Sequence, residues 1–200
     1  MLLTGLSKFY VAKRTYDAET NKTTFTDGIK TGGAMSYSVS DNSGQALKVY
    51  MDDALAASIY SFSSATLTHS TGTLNSDALA YMFNLAQTEM QIGGKSVKKI
   101  GYTDKAQPQE LGFGTIYEEF DAKNNQYQYV PVVLPKVKYQ YPGDSLNTRG
   151  AQPTFSGQSL TAAVFEDEKS LEWLWRFDPQ PTREEADEIL KSLLNVTETE

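Results

Sequence analysis

The chain has no cysteine. Disulfides and thiolate metal sites are therefore excluded, and the composition fits a protein that stays in a reducing cytoplasm. Histidine is almost absent, His69 being the only one. A Ser-His-Asp arrangement would have to use it, and no serine stands in a G-x-S-x-G sequence. His69 lies among Ser and Thr in an expected strand and reads as a surface or partly buried polar residue. Long apolar runs are missing too. None approaches the roughly 18 residues of a membrane helix, so no membrane span is expected. The opening MLLTGLSKFY lacks the charged segment and apolar core of a signal peptide. The body also lacks net charge. Of the total of −7, residues 1–165 contribute nothing, with fourteen acids and fourteen bases, while residues 166–200 carry eleven acids against four bases. A specific DNA reader usually shows a basic patch or stripe. Here only Lys95, Lys98 and Lys99 cluster, and they read as a solvated basic loop.

Other chemical signatures are missing or incomplete. There is no P-loop, and Gly112-Phe113-Gly114 is not followed by the helix that a dinucleotide site needs. Asp41-Asn42 with Gly44 has no bidentate glutamate at the twelfth place of a calcium loop. Asp52-Asp53 and Glu118-Glu119 are adjacent acid pairs, and paired carboxylates across a cleft can hydrolyse sugars. Neighbours in a strand point to opposite faces, however, so Glu118 and Glu119 should not face each other.

What the chain does have is strand signal. Two hundred residues with 40% apolar side chains can form one large domain or two small ones with a real core. Lys8–Tyr16 and Lys22–Phe25 flank the polar turn 17–21 as a hairpin, with Thr26-Asp27-Gly28 and Gly32-Gly33 punctuating its exit. Met35, Tyr37 and Val39 alternate with serines. After the turn 41–44, Gln45–Tyr50 reads as a strand, with Ala46, Lys48 and Tyr50 on one side and Leu47 and Val49 on the other. Met51–Ser58 reads as a helical turn or an ordered loop, and Ile59–His69 as a strand with one wet face. Residues 75–87 carry Leu79, Met82 and Phe83 at helical spacing, with Asn75 or Ser76 as N-cap and Asp77 in the first turn. Val97–Tyr102 and Gly112–Phe120 follow as strands. The segment from Tyr127 to Phe165 reads as strand, turn, long loop and strand, in which Pro131 and Pro135 suit an edge, a bulge or a strand end. Leu171–Phe177 reads as a strand with Trp173 and Trp175 on one face, serving either a core or an aromatic seam against a neighbouring subunit.

The last element has the clearest helix pattern. Thr182 and Glu185 form a capping-box sequence. Ala186, Ile189, Leu190, Leu193 and Leu194 then form a single apolar stripe. A helix of about 13 residues is marginal alone, so Ile189, Leu190, Leu193 and Leu194 are expected to dock on the body or on an adjacent subunit. The acids of residues 183–188 are expected to face solvent. The fold class expected is mainly β (α+β), with a β-domain over residues 1–177 and an acidic helical arm over 178–200.

The order of these elements resembles a known family. GLSKFYVAKR, LKVYMDDALA, FSSATLTHSTGTLNSDALAYMF, FGTIYEEFDAKNNQYQYVPVVLPKVKY and FSGQSLTAAVFED together resemble the major tail proteins of long-tailed, non-contractile bacteriophages, over most of residues 5–177. The resemblance implies a tail-tube-like β-barrel or sandwich with a flanking helix. It implies a structural virion subunit and not an enzyme, with no catalytic residues and no cofactor or metal. It further implies homo-hexameric rings stacked into a tube through which DNA passes without specific binding. Tape-measure, tail-terminator and distal tail proteins would be its partners, and it would reside in the virion tail after synthesis in the bacterial cytoplasm. The ring-stacking loop falls by position on Leu47–Tyr60, including Leu47, Val49, Tyr50, Met51, Asp52, Asp53 and Leu55. Two other readings remain open: a tail terminator or other tube-like assembly protein, and a carbohydrate-binding β-module using the 12 Tyr, 9 Phe and 2 Trp.

Overall fold

The computed structural model describes residues 2–44, 46–74, 76–103, 107–141 and 157–197. The Gln45 end of the expected fourth strand, the Asn75 alternative for the N-cap and the long loop at 142–156 lie outside the described residues. The chain is mainly β with two helices among the described residues. Its main sheet runs β2 (Lys22–Gly32), β1 (Leu2–Asp17), β9 (Glu110–Asp121), β10 (Gln126–Tyr139), β11 (Gln158–Phe165), β6 (Ala65–Thr71) and β3 (Ala34–Asp41), every pair antiparallel. The two-residue β12 (Trp175–Arg176) adds to β10 at Val132 and Val133.

β2 and β3 are the two ends of this sheet, yet only Gly33 separates them in sequence. The sheet must therefore curl until its ends meet. At that corner Gly32 has a φ of 138°, and a Cβ there would lie 2.1 Å from the Thr73 carbonyl oxygen, so only glycine fits. The curl brings Tyr37 of β3 over Phe113 of β9, stacked at 5.9 Å, and His69 of β6 to 4.8 Å from Phe9 of β1. The space between the layers holds the larger core, with Phe9, Val11, Leu67, Phe113, Leu134 and Leu160 buried, together with Met82 and Phe83 of α1 (Ser76–Phe83). Pro135 falls where the β9–β10 register slips between Leu134 and Val137, which is the bulge position a residue without an N–H tolerates.

β1 is buried on both faces at Phe9–Ala12. Phe9 and Val11 face the inner core, while Tyr10 and Ala12 lie under α2 (Arg183–Leu193). Ala186, Leu190 and Leu194 of that helical segment are fully buried against Tyr10, Ala12, Phe25, Ile116 and Val133, with Leu193 packed at the edge and Ile189 partly exposed. The C-terminal helix docks on its own body.

Several sequence-based expectations need correction. The helix expected over 75–87 stops at Phe83, because Asn84 turns to φ 51° and Ala86 already belongs to β7 (Ala86–Ile92). β7 pairs with β8 (Lys95–Gly101) across Gly93-Gly94 as a second, separate hairpin. Met51–Ser58 is neither helical turn nor loop. It is the core of a hairpin of β4 (Leu47–Met51) and β5 (Ala54–Ile59), and residues 60–64 then interrupt the strand expected to continue to His69. In 171–177 only Trp175–Arg176 is strand. Leu171 sits at φ 56°, and the chain then places Trp173 on the inner core and Trp175 on the α2 side rather than on one face.

Candidate functional site

The main sheet buries its polar chemistry rather than presenting it. His69 is fully buried, deeper than the surface or partly buried place expected for it. Its ring packs against Phe9, Phe113 and Tyr139, and its Nε2 lies 3.0 Å from the Tyr139 hydroxyl. Burial pushes its pKa down to about 4, so the imidazole is neutral over most of the accessible pH range. Glu118 and Glu119 point apart as the pleat requires. Glu118 meets Arg183 of α2 at 3.0 Å, and Glu119 meets Arg176 of β12. Gly112 and Gly114 hold no nucleotide loop. They face Phe25 and the α2 leucines, where added Cβ atoms would stand 2.4 Å from Phe25 and 2.7 Å from Leu194. Their missing side chains are the groove in which the helix end lies.

One ionic cluster closes the body. The turn before β12 places Asp167 and Glu168 over the first hairpin, where the nearly inaccessible Arg14 guanidinium donates to Asp167 at 2.8 Å and to Glu168. Thr23 also donates to Asp167, and Lys136 reaches both Glu168 and, at 3.5 Å, Glu110. Burial pushes the Asp167 carboxyl up, but donation from Thr23, Arg14 and the Ser170 and Lys169 amides prevails and holds it at about 2. Every charge in this cluster has a partner, although the buried Arg14 Nε itself has none, and the cluster ties β1, β2, β9 and β10 to the C-terminal third. Among the described residues no group of three His, Asp or Glu side chains could hold a metal ion, and no helix is long and apolar enough to cross a membrane.

The two separate hairpins behave differently. Asp52 and Asp53 take φ values of 49° and 60°, the type I′ conformation that suits a two-residue hairpin and that Asp tolerates better than most residues. The β4–β5 register sets Leu47, Val49, Met51, Ala54, Ala57 and Ile59 on one face, all apolar, and Lys48, Tyr50, Leu55 and Ser58 on the other. Leu47, Tyr50, Met51, Leu55 and Ile59 are each more than half exposed. The residues expected to form a stacking loop are thus brought together on one protruding hairpin. The expected docking residues Ile189, Leu190, Leu193 and Leu194 lie apart from it, in the α2 seam.

The acids of α2 are not all in water. Asp187 is buried beside the seam, accepting a hydrogen bond from the Tyr10 hydroxyl and pairing with Lys191 at 3.0 Å and Lys8 at 3.6 Å. This corrects the expectation that residues 183–188 all face solvent. Nothing local in the sequence marks Asp187, because its partner lies on the first strand. Among known proteins, no family model matches this chain, and no curated protein matches it.

Proposed function

We propose that the chain is a structural subunit of a bacteriophage tail, forming six-membered rings that stack into the hollow tube through which DNA is delivered. The observation that carries this reading is the β4–β5 hairpin. A two-stranded hairpin is at best marginally stable in water, and this one presents an all-apolar face that no element covers among the described residues. Burial of one such side chain stabilises by roughly 1.5–3 kcal/mol, so docking against a second copy would stabilise the hairpin. The order of sequence motifs supports the tube reading over other self-associating folds. The body adds a neutral charge balance, suited to a wall that DNA slides past without being held.

In this reading the chain resides in the virion tail and meets tape-measure, terminator and distal tail proteins at the tube ends. A carbohydrate-binding module is less well supported. The tryptophans are not offered as platforms, since Trp173 lies flat on Phe62 with ring centres 5.0 Å apart and Trp175 packs on the α2 side; such a module would have to use exposed tyrosines such as Tyr102 and Tyr127. Negative-stain electron microscopy of concentrated protein tests the proposal. Six-fold rings and hollow tubes are the expected result. Single rings that never stack would favour a terminator, and a strict monomer at every concentration and salt would sink the reading.

A further inference from the structure

The second hairpin supplies a surface that matches the first. The β7–β8 register sets Thr88, Met90, Ile92, Lys95, Val97 and Lys99 on one face and Gln87, Glu89, Gln91, Ser96, Lys98 and Ile100 on the other. Met90, Ile92 and Val97 are exposed. Lys98, on the polar face, approaches Asp77 at 3.9 Å. Among the described residues Lys95 and Lys99 have no ion-pair partner, and neither do Asp52 and Asp53 at the tip of β4–β5. Each hairpin therefore carries exposed apolar side chains and unpaired charge; with Lys48 on β4–β5 and Glu89 on β7–β8 counted, the first is net negative and the second net positive.

We propose that the β4–β5 hairpin of one copy lies against the β7–β8 hairpin of a second copy, apolar face to apolar face, with Asp52 and Asp53 beside Lys95 and Lys99. The contact joins two different patches, so it is head-to-tail and propagates from copy to copy instead of closing a two-fold dimer. Desolvating Met51, Leu47 and Ile59 against Met90, Ile92 and Val97 supplies the attraction. The opposite charges fix the register and disfavour pairing of two identical hairpins, which would set like charges together. The inference rests on the self-association proposed above and names the surface that receives the hairpin.

The absence of cysteine makes the test clean. Ala54→Cys is made in one batch of full-length chain and Val97→Cys in another, both away from positive-φ positions, and the batches are mixed under mild oxidant. The expected result is a disulfide-linked pair formed several-fold more in the mixture than in either batch alone, since the bond requires Cα atoms within about 7 Å. Asp52→Asn with Asp53→Asn preserves the turn and should lower that yield. Lys95→Gln with Lys99→Gln should lower it equally, and the combined variant should lose little more than either, the non-additivity of partners in contact. Equal cross-linking in mixed and single batches, or additive losses in the combined variant, overturns the proposal. Microscopy of the parent chain separates the two ideas. Tubes without the mixed pair remove this contact and keep the tube, whereas a mixed pair without six-membered rings keeps the contact and removes the tube.

Discussion

The Tyr10 hydroxyl donates to Asp187 at 2.7 Å, joining the first strand to the last helix across 177 residues of sequence. The carboxylate is shared with Lys8 and Lys191. A hydrogen bond to a charged group is worth about 1.5–3 kcal/mol, so Tyr10→Phe should destabilise by that order. Asp187→Ala should cost more, because it removes at once the acceptor of the Tyr10 hydroxyl and the carboxylate that Lys8 and Lys191 share. The double variant should fall well short of the sum. Denaturant unfolding of the four proteins checks this, and strict additivity would mean that the two groups do not interact.

Glycines under the helix should be more sensitive than their exposure suggests. A Cβ on Gly28 would stand 2.3 Å from the Leu194 carbonyl oxygen, and backbone cannot yield cheaply. At Gly114 the obstacle is the end of the Leu194 side chain. Gly28→Ala should therefore destabilise more than Gly114→Ala, with overpacking costs of about 1–3 kcal/mol. Leu190→Asp should release the helix outright. Limited proteolysis at residues 178–197 reads all three, and unchanged cleavage would show that the seam does not hold the helix.

Acid should destabilise the protein in two steps. His69 has its pKa lowered from 6.5 to about 4 in the fold. Between those values the unfolded chain takes a proton that the folded chain refuses, so stability falls as pH falls through that window and the loss then levels off. The full loss is at most roughly 3 kcal/mol, at 1.36 kcal/mol per pH unit. Asp167 is depressed from 3.8 to about 2, so its contribution is present above pH 3.8 and disappears as pH falls through about 2. His69→Gln should abolish the upper step, and Asp167→Asn should reduce the lower one, to which Glu168 and Asp187, also held below their ordinary values, contribute as well. Midpoints of urea unfolding against pH decide it.

Hydrogen exchange should separate free and assembled chain at the β4–β5 hairpin. The amides of Leu47–Met51 and Ala54–Ile59 should exchange quickly in the free subunit, where nothing covers them, and slowly in tubes. Equal protection in both states would count against an assembly role.

Legibility in the sequence followed burial. The α2 stripe and its cap were readable because the periodic residues are the buried ones, and Thr182 does accept from the Glu185 amide at 3.2 Å. The second hairpin is harder to read: AQTEMQI alternates, but Ala, Gln, Glu and Met are weak strand formers, the helical spacing before it runs on to Ala86, and only Gly93-Gly94 gives a turn signal. Trp173 and Trp175 misled because their spacing of two implies one face only if the strand is continuous, and the left-handed Leu171 and irregular 172–174 break it. His69 and Asp187 could not be placed from neighbours in sequence, since Tyr139 and Tyr10 come from distant strands. The expected stacking residues lie together on one hairpin, whose first strand the sequence marks at Gln45–Tyr50 while its return, Ala54–Ile59, reads as a helical turn or loop.

The pairing of the first strand with late segments has a consequence for synthesis on the ribosome. Leu2 pairs with Phe120, and the outer side of Tyr10 and Ala12 stays bare until residues 186–194 emerge. The amino-terminal hairpin is made first but finished last. A nascent chain stalled after β10 but before Leu194 displays an open strip of sheet around Tyr10, Ala12 and Gly114, a surface that chaperones and proteases recognise. Chains interrupted in translation are thereby distinguishable from finished ones by the apolar strip that they still expose.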